Sequence, residues 1–281
     1  MYRPVDATRF HALRAFYSYD RRPANARVTT VEETPDWRKE RVWIDGAGGD
    51  SILTYLYLPM RAESPYQTII QVPSSAAFFF EPAWMAVENE LAPHIKAGGA
   101  VMAVIFSGMI ERAQPVGLRP PASNSVAFRD LMVRHATELR MAMDYVETRS
   151  DIDASRFAYL GMSWGRRHTT RAWRRRRSIQ GICAGGRRNR RTRTAHVARG
   201  VEYQLCRHLK GPTLMLNGRQ DEEHPWLTGA KPLWDLLPQP KELVLIDGVG
   251  HHPPLEYRVP PINAFLDRTL GRVTLKGASV K

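Results

Sequence analysis

From Arg38 onward, short runs rich in β-branched and aromatic residues alternate with stretches of helical periodicity, which restricts the chain to a sheet layered by helices. The strand candidates are Glu40–Ile44, Ser51–Leu58, Gln67–Val72, Ala100–Phe106, Arg156–Leu160, Ile179–Ala184, Pro212–Leu216 and Glu242–Ile246. The first two flank a Gly46–Gly49 turn and suit an antiparallel hairpin. The later ones are short, continuous and apolar, as parallel strands covered on both faces are. Between them, Ser125–Arg149 places Phe128, Leu131, Met132, His135, Ala136, Leu139, Ala142, Met143 and Val146 at spacings of three and four, one apolar helix face. Weaker helical patterns span Glu81–Lys96, Trp226–Leu237 and Glu256–Leu270, and Ala7–Tyr19 reads as a short helix followed by a tether to Trp37. Loop Ser107–Asn124, with three prolines between strand and helix, suits the rim of a binding site. The division expected is residues 1–36 as N-terminal helix and tether and 37–281 as a single α/β domain, a mostly parallel eight-stranded sheet with helices on both faces.

The 281 residues suffice for one large domain with a full core, and 43% are hydrophobic, an ordinary globular fraction. No apolar run approaches the roughly 18 residues of a membrane span, and the start MYRPVDATRF has no apolar signal stretch, so the chain reads as soluble and cytoplasmic. Cys183 and Cys206 have neither disulfide-framework nor zinc-like spacing and read as two buried thiols.

A net charge of +13 would ordinarily raise nucleic acid or an anionic membrane as a partner. The excess is confined, however, to one segment. Between Arg166 and Arg199 the chain has thirteen arginines, no lysine and no acid, while the other 247 residues carry 28 basic and 28 acidic side chains. The protein is neutral apart from 34 anomalous residues.

Gly161-Met162-Ser163-Trp164-Gly165 follows the strand RFAYL and has the pattern G-x-S-x-G. A sharp strand-to-helix turn there would lift the Ser163 hydroxyl clear of the sheet, with glycines where side chains would collide with neighbouring strands. A serine hydroxyl needs a base, and the base needs an orienting carboxylate. Asp221, just past the strand ending at Leu216, and His251, just past KELVLID, follow in that order; Glu222, Glu223 and His252 are their rivals. Strand-end placement gathers residues 58 and 30 positions apart at one sheet edge, and the order Ser, Asp, His is that of the α/β-hydrolases. For the oxyanion, the Trp164 amide is one donor candidate and the Ser75 amide the other, with Ser74 as the alternative. His94, His135 and His224 show no metal spacing.

Beyond these motifs, the stretches YSYDRRPANARV, PDWRKERVWID, LYLPMRAESPYQTIIQVPSS, DYVETRSDIDASRFAYLGMSWG, GPTLMLNGRQD, GHHPP and INAFLDRTLG resemble the α/β-hydrolases of the dienelactone-hydrolase and acetyl-xylan-esterase-like group. They are most similar to the form attached to bacterial serine/threonine protein kinases. The resemblance covers nearly the whole chain except the arginine-rich segment. It implies a serine hydrolase of carboxylic esters, a carboxylesterase working through an acyl-enzyme with Ser163, Asp221 and His251 at the motif positions. The substrate would be a small-molecule ester and no cofactor would be needed. It also implies either the hydrolase part of a larger protein that includes a kinase or a free-standing relative.

Two departures stand out. Relatives tend to have a glycine-containing P-G-S-G turn where this chain has Pro73-Ser74-Ser75-Ala76. They also continue the elbow with a small-residue apolar helix, whereas here the helix would be WGRRHTTRAWRRRR. Successive helical residues lie about 100° apart, so Arg174 to Arg177 would project in almost every direction and leave no face to bury. Three origins fit the segment. It is a basic patch for polyanions on a catalytically inactive hydrolase fold, disfavoured because lysine is absent and Trp173 is its one aromatic; or a solvated insertion; or a stretch translated out of frame before the normal frame resumes near GVEYQL. Within it, SIQGICAGG still reads as a strand.

Overall fold

The computed structural model describes residues 6–78, 84–112, 120–122, 125–165, 180–184, 206, 209 and 211–277. Its strands are β1 (Arg27–Glu33), β2 (Trp37–Asp45), β3 (Ser51–Pro59), β4 (Tyr66–Val72), β5 (Ala100–Ile105), β6 (Ile152–Met162), β7 (Gln180–Ala184), β8 (Thr213–Gly218) and β9 (Lys241–Ile246). Its helices are α1 (Ala7–Ala15), α2 (Trp84–Lys96), α3 (Val126–Val146), α4 (Lys231–Leu236) and α5 (Leu255–Leu270). Among the described residues the strands form one sheet of nine, in the order β1-β2-β3-β5-β4-β6-β7-β8-β9. Pairing is antiparallel from β1 to β5 and parallel from β5 across to β9.

The count of eight strands is corrected to nine, because the stretch expected to be a tether contains β1. Its sequence RVTTVEE is polar and almost wholly exposed, so no alternation of buried residues marked it. It is nonetheless paired along β2 from Arg27 opposite Trp43 to Glu33 opposite Arg38. The pattern Trp226–Leu237 is likewise corrected: a π-helical turn, Trp226–Ala230, precedes α4. Gly229 lies so close to the His224 backbone that a methyl there would be 3.1 Å from it, and Pro232 lacks the amide that a continuous helix would use.

The strand order turns at β4. The chain leaves β4 through α2 to β5 on one side, then returns through α3 to β6 on the other. Right-handed crossovers in opposite directions put α2 and α3 on opposite faces, and α5 packs beside α2. The carboxyl end of β4 is therefore the switch point where open α/β sheets form their binding crevice. The centre of the sheet is sealed: every residue of β5 is buried, and Tyr57, Phe106, Phe157, Tyr159 and Phe265 anchor the core. Helix α3 begins at Ser125, whose hydroxyl accepts from the Phe128 amide at 3.1 Å, an N-cap that satisfies one of the first-turn donors.

The strand expected inside the arginine-rich segment is present as β7, between β6 and β8. The rest of 166–199, including the helix expected after the elbow, lies outside the described residues, as do 113–119 and 123–124 of the loop after β5. No helix of the described residues is long and apolar enough to cross a membrane.

Candidate active site

Strand β6 ends at Met162, and Ser163 turns the chain with a φ of 53°, in the left-handed region that a side chain ordinarily avoids. The turn Ser163–Gly165 can form only against a bare backbone: a methyl on Gly165 would lie 2.4 Å from the Val72 carbonyl oxygen at the end of β4. Tyr159 holds the turn from below, its hydroxyl donating to the Gly165 carbonyl at 2.6 Å.

Strand β8 leads to Asp221 and β9 to His251, and the loops bearing them are stitched together. The Arg219 amide donates to Ile246 O at 2.9 Å and the Gln220 amide to Val249 O at 3.1 Å. Their backbones approach so closely that a methyl on Gly218 would be 2.1 Å from the Gly250 carbonyl oxygen. Asp221 is fully enclosed and accepts from the amides of Glu223 (2.9 Å) and His224 (2.8 Å).

Together these loops bring the three side chains singled out from the sequence into a row. His251 Nδ1 lies 3.0 and 3.2 Å from the two Asp221 oxygens, and His251 Nε2 lies 3.3 Å from Ser163 Oγ. Nδ1 carries the proton and donates, because a carboxylate can only accept; Nε2 is then left to accept from the serine hydroxyl. Burial alone would raise the Asp221 carboxyl, but the His251 hydrogen bond and the two backbone amides outweigh it and hold the group below the usual carboxylate range. The arrangement can polarise the Ser163 hydroxyl and stabilise the imidazolium formed when its proton moves.

The rivals stand elsewhere. His252 packs edge-on against the His251 ring at 4.6 Å, and Glu222 is exposed. Glu223, weighed from the sequence only as a substitute for Asp221, instead reaches the other side of the imidazole, its Oε2 3.6 Å from Nε2. The signal for it was the run Asp221-Glu222-Glu223, in which a turn capped by the first carboxylate brings the third residue back toward the same histidine.

The backbone around the two oxyanion candidates is also defined. Ser75 opens a 3-10 turn, Ser75–Phe78, in which Ala77 N donates to Ser74 O (3.2 Å) and Ala76 N to Ser74 Oγ (3.3 Å). This turn packs against Ser163–Gly165. The Trp164 ring is gripped edge-on by Phe78 (5.3 Å) and Phe128 (5.6 Å), which fixes its backbone at the elbow.

Two of the other histidines, His135 and His94, are enclosed in the core. His135 stacks on Phe106 at 4.6 Å and its Nε2 donates to Ser107 O at 2.9 Å; burial pulls its pKa down to about 3. His94, equally buried, is drawn to about 4. Cys206 is buried, and the side chain of Cys183 lies outside the described residues. Among the described residues no group of three His, Cys, Asp or Glu side chains could hold a metal ion.

No protein-family model matches the chain and no curated protein matches its sequence. Solved structures do match. An acetyl xylan esterase from Paenibacillus sp. R4 superposes with a TM-score of 0.68 at 20% identity, covering 94% of this chain and 93% of that one. Acetyl xylan esterase 1 from Thermoanaerobacterium sp. JW/SL YS485 gives 0.64 at 14% identity, covering 94% and 99%. A glucuronoyl esterase from Solibacter usitatus gives 0.56 at 16%, covering 93% and 92%. Sheet order, helix placement and these superpositions agree that the chain has the α/β-hydrolase fold.

Proposed function

We propose that the protein is a serine hydrolase of carboxylic esters that works through an acyl-enzyme. Ser163 Oγ attacks the acyl carbonyl as His251 Nε2 takes its proton. The carbonyl oxygen becomes an anion held by the Trp164 and Ser75 amides. The imidazolium, steadied by Asp221, then protonates the departing alcohol. Water repeats the sequence on the acyl-enzyme and releases the acid. Preorganised amides of this kind contribute on the order of 10²–10³ in rate each, because they meet charge that develops only in the transition state.

The observation that carries this reading is the row Ser163–His251–Asp221, at 3.3 and 3.0 Å, with the serine on a left-handed turn at the end of a parallel strand. A carboxylate, an imidazole and a hydroxyl in that order have a plain chemical use and little structural one. The esterases among the superposed structures lend support to an ester over other acyl substrates.

The test is turnover of short-chain p-nitrophenyl esters, and labelling by a fluorophosphonate, with the intact chain beside its Ser163→Ala variant. Activity and labelling should both vanish in the variant. Equal labelling of the variant refutes the assignment. No turnover by a folded chain, together with salt-sensitive binding of polyanions, would favour an inactive fold with a basic segment.

A further inference from the structure

A column of rings runs from the end of β5 to the two oxyanion candidates. Phe106 directly follows β5, and the His135 ring of α3 stacks on it, centroids 4.6 Å apart and planes 11° apart. The same imidazole lies against the Phe78 ring, at 6.2 Å and 23°. Phe78 in turn meets Trp164 edge-on, at 5.3 Å and 81°. Phe78 closes the turn Ser75–Phe78 and Trp164 follows the nucleophile, so this last contact joins the two segments whose amides are the donor candidates. We propose that His135 is a positioning residue for the oxyanion pocket: seated on Phe106, its ring sets through Phe78 the spacing between the Ser75 turn and the Trp164 elbow. This deepens the hydrolase reading and rests on it.

A residue that positions others must itself be held, by packing and by hydrogen bonds that lock its rotamer. His135 meets both conditions. It is fully buried, and its Nε2–H donates to the Ser107 carbonyl at 2.9 Å, which fixes the rotation of the ring. Ser107 is anchored in its turn: its amide donates to Glu138 Oε2 at 3.0 Å, and the other oxygen of that buried carboxylate accepts from Arg112 at 2.8 Å. Two helical turns before His135, Phe128 touches Trp164 at 5.6 Å. Helix α3 therefore bears on both donor segments, on Trp164 directly and on the Ser75 turn through His135 and Phe78. Stacked and edge-on rings have preferred separations and angles, so a ring passes on position as a flexible side chain of similar volume does not. The precision matters because an oxyanion donor acts only at about 2.7–3.1 Å from the developing charge.

The experiment uses the full chain, with p-nitrophenyl acetate as substrate and benzyl trifluoromethyl ketone as probe. On this ketone Ser163 Oγ bonds to the carbonyl carbon, the carbonyl pair passes to its oxygen as an anion and His251 takes the proton, so its affinity reports the oxyanion pocket. His135→Gln keeps a donor for Ser107 and removes the ring; His135→Phe keeps a ring and removes the donor. His135→Gln should lower kcat/KM and ketone affinity in step, by about tenfold, a part of the 10²–10³ that loss of a whole donor costs. His135→Phe should restore both to within about threefold of the parent, although urea unfolding shows it destabilised by the unsatisfied Ser107 carbonyl. A merely structural histidine would move stability in both variants and ketone affinity in neither. Values in folded His135→Gln within about threefold of the parent overturn the proposal, as does a loss in His135→Phe equal to that in His135→Gln. Should either variant not fold, Phe78→Leu, at a half-buried position in the column, takes its place: the same fall is expected, and unchanged values overturn the proposal. Turnover that survives in Ser163→Ala means instead that the hydrolase reading has failed.

Discussion

Gly218→Ala tests whether the close approach of two loops sets the geometry of the site. The added methyl would lie 2.1 Å from Gly250 O and 2.3 Å from Val249 O, both backbone atoms that cannot swing aside. The shortest ordinary carbon–oxygen contact is about 3.3 Å, so the loops must part by roughly 1 Å. His251 directly follows Gly250, and its Nε2 is 3.3 Å from Ser163 Oγ, so the same movement takes the pair out of hydrogen-bonding range. A misplacement of about 1 Å costs on the order of 10²-fold in rate, and overpacking costs about 1–3 kcal/mol of stability. Ester hydrolysis by the variant should therefore fall about a hundredfold while urea unfolding shows a folded, moderately destabilised protein. Gly250→Ala is the control. Its methyl would come no closer than 4.0 Å to Gln220 O, and activity should be retained. If Gly218→Ala keeps kcat/KM within about threefold of the parent, the coupling of loop contact to catalysis is wrong.

Two stability measurements follow from the same structure. His94 and His135 have folded pKa values near 4 and 3 against 6.5 when free, so below 6.5 the unfolded chain binds protons that the folded chain does not. The stability they leave intact above 6.5 is lost as pH falls toward those values, each with a slope of up to about 1.4 kcal/mol per pH unit; urea unfolding of His135→Gln should show a pH slope shallower by about that amount, and an identical slope refutes it. Separately, the left-handed backbone at Ser163 costs an ordinary residue roughly 1–2 kcal/mol and glycine almost nothing. Against the looser unfolded chain that glycine brings, Ser163→Gly should still exceed Ser163→Ala by about 1 kcal/mol in urea. Equal stability would contradict the strained turn.

Legibility in the sequence followed burial. The periodicity in α3 picked out Phe128, Met132, His135, Ala136, Leu139, Ala142, Met143 and Val146, all buried in the structure, because a helix on a sheet presents one stripe to it. Leu131 is only partly buried, and Glu138 was invisible to a hydrophobic count; it is buried because Arg112 and the Ser107 amide satisfy its carboxylate. Strand β1 was missed since an edge strand held by backbone hydrogen bonds needs no apolar face. The sequence placed Ser163, Asp221 and His251 just past the ends of three strands, a topological property, whereas the 3.6 Å between Glu223 and His251 depends on the conformation of a turn, which spacing alone does not determine.

The short strand β7 also acts as a spacer within the candidate site. Ser163 hangs from β6, while Asp221 hangs from β8 and His251 from the far end of β9, so five residues of β7 stand between the hydroxyl's support and that of its two helpers. The strands that support nucleophile and base are thereby set three inter-strand gaps apart, each about 4.8 Å wide. Unseating those five residues would split the sheet into two plates and leave the serine on one and the imidazole on the other.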